Sequence, residues 1–556
     1  MNRLLATLLL VFVLNGKLAA QYVTNPILSG FYPDPSICRV GNDYYLVVSS
    51  FAYYPGLPLF HSTDLVNWTP IGAALNRPEQ LNLDGAGVSR GLFAPAITYH
   101  DGLFYIVCTL VDKGGNFVIT AKDPRGPWSN PVWLPEVDGI DPSLFFDTDG
   151  SAYIVYNSIP PDNISLYDGH RTIRMNSFDA KNLKVTGPNR ILINGGTDIS
   201  KKPVWIEAPH IIKKDGWYYL ICAEGGTAYN HSEVVFRSRS LNEPFIPFAG
   251  NPILTQRHLD PGRPHPITTA GHADFVETPN GDWWAVFLAC RPYEGNHYNT
   301  GRETFIAPVV WRDGWPIINP DFETIQYRYP IAAAPAPGHL PMGGNYTFRD
   351  DFEGARLNNR YSFLRTVRQQ WYALKNGRLY LTLLPETCSG NGNPALVAYR
   401  QPHLEGTVTT ALHFKAKATN EKAGLLLFQN ERHYYYLHQT YRNGKQVLAL
   451  EQGPGKEAGT LPRELAVLPL PAGRKNALQL RVQAKGAAYD FYYSLNGKHW
   501  LPVATHVDAR FLSTQTAGGF VGVVYALYAT AEGGASANSA GYDWLEVQSN
   551  DRVYKQ

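Results

Sequence analysis

Five times between Tyr32 and Ala289 the chain repeats one pattern: a short polar or acidic entry, a Pro or Ala, an apolar strand, a Gly-containing turn and an aromatic-rich strand. The copies read YPDPSICRVGNDYYLVVSS from Tyr32, LFAPAITYHDGLFYIVCTL from Leu92, IDPSLFFDTDGSAYIVYNS from Ile140, IEAPHIIKKDGWYYLICAE from Ile206 and GHADFVETPNGDWWAVFLA from Gly271. Their turns, Gly41-Asn42, Asp101-Gly102, Asp149-Gly150, Asp215-Gly216 and Asn280-Gly281, favour tight strand reversal, so each copy is a predicted hairpin. The markers Pro35, Pro95, Pro142, Pro209 and Ala273 lie 60, 47, 67 and 64 residues apart. Propeller blades of four strands run at roughly 40–50 residues in kelch and WD40 repeats, so these spacings fit blades with inserted loops. The expected fold is therefore all-β, with a five-bladed β-propeller over residues 21–330. A β-sandwich with fortuitous hairpins is the alternative, and five copies in phase argue against it.

At 556 residues the chain exceeds the roughly 250–300 at which one hydrophobic core stops growing, so a second domain is expected. The segment at 331–345, with Ala332-Ala333-Ala334-Pro335-Ala336-Pro337 inside it, is rich in Pro, Ala and Gly and reads as a linker. Beyond it, runs at 378–383, 425–428, 434–438, 446–450, 477–482 and 489–494 alternate or are apolar, with turns between. They predict a β-sandwich over 346–556. Helical periodicity is nearly absent.

The start, Met1-Asn2-Arg3, an apolar run from Leu4 to Leu14 and Lys17-Leu18-Ala19-Ala20, has the form of a signal peptide over residues 1–20. Export to the periplasm or the medium is expected. The apolar run is shorter than the ~20 residues of a membrane span, so no membrane partner is expected. Lys plus Arg number 49 against 47 Asp plus Glu, a balance that argues against a nucleic-acid partner and suits a neutral substrate. Five cysteines, Cys38, Cys108, Cys222, Cys290 and Cys388, lack the spacing of a zinc site, and the first four sit in apolar runs. They read as small buried hydrophobes rather than a disulfide framework.

In a propeller the first strand of each blade lines the axis, so residues at one phase of the repeat converge. Just before the marker Pro, the first copy offers Asp34 and the third Asp141; the fourth offers Glu207 one residue earlier; the second has Phe93-Ala94 and the fifth His272. Three acids near one axis repel one another and lose hydration, a cost with little structural purpose. Glycoside hydrolysis has a use for it: one protonated carboxyl serves the leaving oxygen and one ionised carboxylate works on the other side of the sugar.

The stretches NPILSGFYPDPSICRVGNDYYLVVSSF, GIDPSLFF, WIEAPHI with AEGGTAYNH, and TGRETF with DGWP resemble the β-xylosidases and α-L-arabinofuranosidases of glycoside hydrolase family 43. The resemblance runs nearly end to end and implies that the C-terminal sandwich is concanavalin-like. It implies Asp34 as general base, Glu207 as general acid and Asp141 as the carboxylate that tunes and orients the acid. The implied mechanism is inversion in one displacement, with base and acid about 6.5–9.5 Å apart. Arg302 matches a position that hydrogen-bonds sugar hydroxyls. His272 matches a channel histidine that in many members sits near a bound calcium or an ordered water cluster. Phe51 matches a pocket-wall aromatic, Phe93 stands where many β-xylosidases carry Trp, and Phe520 in Gly519-Phe520-Val521-Gly522 resembles the loop that closes the pocket. No cofactor is required; a structural calcium at His272, or at Asp350, Asp351 and Asp543, is the metal reading. The expected activity is exo-acting release of β-D-xylose, with α-L-arabinofuranose as a second pentose, from plant cell-wall oligosaccharides. An endo-arabinanase and a non-catalytic sugar-binding propeller are the alternatives.

Overall fold

The computed structural model describes residues 21–331, 340–457, 459–474 and 476–555. The predicted signal peptide and most of the linker lie outside the described residues. Each predicted hairpin forms the two inner strands of a blade. Blade one comprises Ser36–Val40, Asp43–Val47, Gly56–Ser62 and Thr69–Leu75. Blade two comprises Ala96–His100, Leu103–Leu110, Gly115–Ala121 and Val132–Trp133. Blade three is built from Ile140–Phe146, Ala152–Ser158, Thr172–Asp179 and Lys184–Asn194. Blade four is built from Glu207–Lys214, Trp217–Glu224, Ser232–Ser238 and Ile246–Pro247, and Leu254–Thr255 adds to its third strand. Thr268–Glu277, Trp283–Cys290, Glu303–Arg312 and Trp315–Ile318 make blade five.

Second strands such as Leu103–Leu110 and Trp283–Cys290 are buried almost throughout, because a blade packs a neighbour on each face and so carries apolar residues on both. The ring is tied by its N-terminal segment. Gln21–Thr24 pairs with Arg328–Ile331, and the buried Asn25 side chain bonds both the carbonyl (2.7 Å) and the amide (2.9 Å) of Ile306 in blade five.

The C-terminal domain stacks two large antiparallel sheets over an apolar core, and the predicted runs appear there as Leu379–Thr382, Lys422–Asn430, His433–Arg442, Lys445–Gln452, Leu478–Lys485 and Ala488–Ser494. The two domains share a sheet. Tyr53–Tyr54, in the first blade's sequence, pairs with Tyr361–Leu364 and becomes the edge strand of one sandwich sheet. Behind it, Arg291, Glu303 and Asp551 form a buried ion-pair network: Arg291 Nε to Glu303 2.6 Å, Arg291 Nη1 to Asp551 2.7 Å, with His403 Nδ1 3.0 Å from Asp551. The same Glu303 accepts from Gly30 N (2.7 Å) and Thr300 Oγ1 (2.9 Å), so the network braces the segment that carries Arg302.

All five cysteines are free, four of them buried and Cys38 partly so, in keeping with their reading as small hydrophobes rather than a disulfide framework. Burial pushes the Cys290 thiol up to about 12 and raises Cys38, Cys108, Cys222 and Cys388 as well, so none is a ready nucleophile. Among the described residues no helix is long and apolar enough to cross a membrane.

Candidate active site

The repeat phase that aligns the acids in sequence is a backbone device in three dimensions. Asp34, Asp141, Ala208 and His272, at the same position of four blades, all adopt left-handed conformations, with φ of 52°, 53°, 50° and 58°. In blades three, four and five the ladder slips there, between Ile140 and Ser143, Glu207 and His210, and Gly271 and Asp274. Such bulges re-aim side chains, and the left-handed strain they hold in Ala208 and His272 is uncommon away from functional sites. In blade four the strained position is filled by Ala208, which is why the acid enters one residue earlier, as Glu207 still paired with Ala223.

The result is a pocket lined by Asp34, Phe51, Phe93, Ala94, Ile140, Asp141, Trp205, Glu207, Thr227, His272, Arg302 and Phe520. All eight predicted site residues are brought together here. Its cavity volume is about 50 Å³, a few times the ~10–15 Å³ needed by one water. A larger concavity of about 820 Å³, between the turns of blades one and five, holds none of these acids.

Asp34 is buried and accepts from the Ser49 hydroxyl and from Arg302 Nη1 at 3.4 Å. Arg302 is fixed from its other side by donating to the Thr227 carbonyl at 2.7 Å. Glu207 is 5% exposed, and burial, reinforced by the Asp34 charge and opposed by Arg302 and Arg171, raises its carboxyl to about 7. Asp141 is raised well above the usual carboxylate range by burial and by the charges of Glu207 and Asp34, while the Ala208 N–H donates to it. That bond ties Asp141 to the peptide next to the Glu207 carboxyl. His272 lies 3.9 Å from Asp34, and burial, with the His210 and Arg302 charges, holds its ring well below the usual histidine range, so it is neutral.

An aromatic cage forms the apolar wall. Phe51 stacks on Phe520 (5.8 Å) and meets Phe93 edge-on (5.5 Å); Phe93 meets Phe520 at 6.0 Å. The sandwich thus contributes Phe520 to a propeller pocket, its amide donating to Ser89 Oγ at 3.0 Å and its ring lying under the Arg302 guanidinium at 4.9 Å. Three phenylalanines and a cluster of acids, with one guanidinium between, suit a small polyhydroxylated ring.

Comparison with known proteins gives the family. Residues 23–316 match the model for glycosyl hydrolases family 43, and residues 349–548 match that for the β-xylosidase C-terminal concanavalin A-like domain. The chain belongs to glycoside hydrolase family 43. A xylosidase/arabinosidase from Butyrivibrio fibrisolvens is 39% identical over 94% of this chain and 99% of its own length. A non-reducing-end α-L-arabinofuranosidase from Bacteroides ovatus is 36% identical over 99% of both chains. In structure, a xylan β-1,4-xylosidase from Bacillus halodurans superposes with a TM-score of 0.85 at 31% identity, over 95% of this chain and all of that one. As a member of the family the chain is a glycoside hydrolase.

Sequence reasoning did not name Ser49, Ile140, Trp205 or Thr227. Ser49 and Ile140 sit within quoted repeats, Ile140 at the phase of Phe93 and Glu207 two residues before the marker Pro, while Trp205 and Thr227 fall within the stretches WIEAPHI and AEGGTAYNH but outside the repeat. No three His, Cys, Asp or Glu side chains converge as metal ligands among the described residues. In the sandwich, Asp543 binds His413 at 2.8 Å and also pairs with Arg378, Asp351 pairs with Arg349 at 2.7 Å, and Asp350 caps Phe352 N at 2.9 Å. These three acids are engaged separately rather than gathered round an ion.

Proposed function

We propose that the protein is an exo-acting, inverting pentosidase that removes terminal β-D-xylose, and α-L-arabinofuranose from the same pocket, from plant cell-wall oligosaccharides. The observation that carries this is the pairing of a raised carboxyl, Glu207 at about 7, with Asp34, which receives two donors and shares no hydrogen bond with it. Glu207 gives its proton to the glycosidic oxygen as the bond from that oxygen to the anomeric carbon breaks. A water on the opposite face forms the new bond to that carbon and yields a proton to Asp34, so one water is consumed and both carboxyls are restored by exchange with solvent. Asp141, held by the Ala208 amide, keeps the acid's peptide in place and, by its closeness, keeps the proton on the pair. Arg302 binds sugar hydroxyls while its second nitrogen stays on Thr227.

Chain-end cleavage is supported by the Phe51, Phe93 and Phe520 cage, which closes the end of the pocket where an endo-acting enzyme needs an open groove. The names of the relatives divide between xylosidase and arabinofuranosidase, and both support a pentose in the pocket. The leader-like start supports export, where such polymers are met. Hydrolysis of p-nitrophenyl β-D-xylopyranoside and α-L-arabinofuranoside tests the reading. Cleavage of either supports it and their ratio ranks the two pentoses; cleavage of neither, by a protein that still binds xylo-oligosaccharides, leaves a sugar-binding propeller instead.

A further inference from the structure

The pocket has a second aromatic wall that neither the repeat nor the cage accounts for. Trp205 lines it from blade four, two residues before Glu207, whereas the cage rings come from blades one and two and from the sandwich. Trp205 holds a left-handed backbone, φ 47°, an outlier for a bulky residue and a strain that concentrates at functional sites. Two loops and a strand of blade three sustain it. Trp205 N donates to Gly169 O (2.9 Å), and Gly169 packs so closely that a Cβ there would come within 2.9 Å of the indole. The carbonyl of Val204 accepts from Gly225 N (2.9 Å) and Gly226 N (3.1 Å), the strand of loop that leads to Thr227 and hence to Arg302. Asn157 Nδ2 donates to Ile206 O at 3.0 Å, fixing the residue between Trp205 and the acid. The Arg171 guanidinium lies 5.3 Å over the indole, and Val204 beside it is 44% exposed, so this wall opens towards solvent.

Glu207 must reach the glycosidic oxygen, which joins the terminal sugar to the group that departs. The departing group therefore sits against the wall that carries the acid. We propose that Trp205, backed by Arg171, is the platform on which the leaving group lies, and that it takes that group by the flat face of a sugar or aryl ring. Trp205 and Ile140 both present apolar surface to the pocket, so the platform reads ring shape more than hydroxyl configuration, and leaving sugars of different stereochemistry are accepted alike. The inference rests on the glycosidase reading above.

The test compares three substrates of the accepted pentose in the full-length protein: a disaccharide, the 2,4-dinitrophenyl glycoside and the glycosyl fluoride. The first two fill the platform, the fluoride does not, and only the disaccharide needs strong protonation. Relative to the fluoride, Trp205→Ala is expected to lose about tenfold in kcat/KM on both ring-bearing substrates, mainly through KM, with Trp205→Phe recovering most of it. Equal loss on all three makes Trp205 a structural residue, and loss on the disaccharide alone makes it a support for Glu207; either overturns the inference. A wild-type protein that cleaves none of the three refutes the glycosidase reading itself, whereas an active wild type with an unselective Trp205→Ala refutes only the platform.

Discussion

Glu207 is the residue on which the chemistry turns, and its raised carboxyl has two measurable consequences. For catalysis, kcat/KM of the wild type should fall as pH rises through about 7, where the acid loses its proton. Glu207→Gln should lose about 10²–10⁴-fold on substrates with poor leaving groups, far less on activated aryl glycosides, and should lack that basic limb. For stability the sign follows from linkage. The folded carboxyl titrates at about 7 against an ordinary value of 4.5, so its contribution is intact below 4.5 and is lost as pH rises through 7. The melting temperature of Glu207→Gln relative to wild type should therefore climb between pH 4.5 and 7.5; a constant difference would show that burial of the charge costs nothing. At this scale the sequence was informative where residues repeat. Asp34 and Asp141 share a phase and Glu207 stands one place off it, whereas Trp205 and Thr227, though within the quoted stretches WIEAPHI and AEGGTAYNH, belong to loops with no second copy, and only the fold shows them lining the pocket.

At the scale of elements, the strained positions before Pro35, Pro142, Pro209 and Ala273 are what turn a row of hairpins into an active site. The hairpins themselves were legible because turn dipeptides and aromatic strands are local signals. Phe93 stands in the second copy of the repeat, but Phe520 lies more than 400 residues further along the chain, so the cage as a whole was legible only through family resemblance; it is joined through Ser89 and the short helical turn Thr514–Ala517 that precedes Phe520. Removing one ring should weaken the grip on the terminal sugar more than the chemistry. Phe520→Ala is expected to raise KM about tenfold with a smaller change in kcat, because ring contacts of ~0.5–1.5 kcal/mol each are lost at a residue that is itself partly exposed. Steady-state kinetics beside an unchanged melting temperature would check it.

The whole molecule is less divisible than its linker suggested. Composition marks 331–345 as a boundary, yet Tyr53–Tyr54 completes a sandwich sheet and Arg291, Glu303 and Asp551 bury their charges between the domains. Neither contact leaves a trace in local sequence, because a two-residue strand has no period and an ion pair spanning 260 residues has no spacing rule. Arg291→Met should cost about 3–5 kcal/mol by stranding the buried Glu303 and Asp551 carboxylates. Urea unfolding should show this as a lower midpoint. The loss should extend to activity because Glu303 adjoins Arg302.

The most direct test of the account is the anomeric form of the first sugar released, followed by proton NMR before mutarotation. A single displacement by water, with Glu207 as acid and Asp34 as base, requires a β-xyloside to yield α-xylose first. Initial release of β-xylose would mean two displacements through a covalent intermediate, and would contradict the roles given to Asp34 and Glu207.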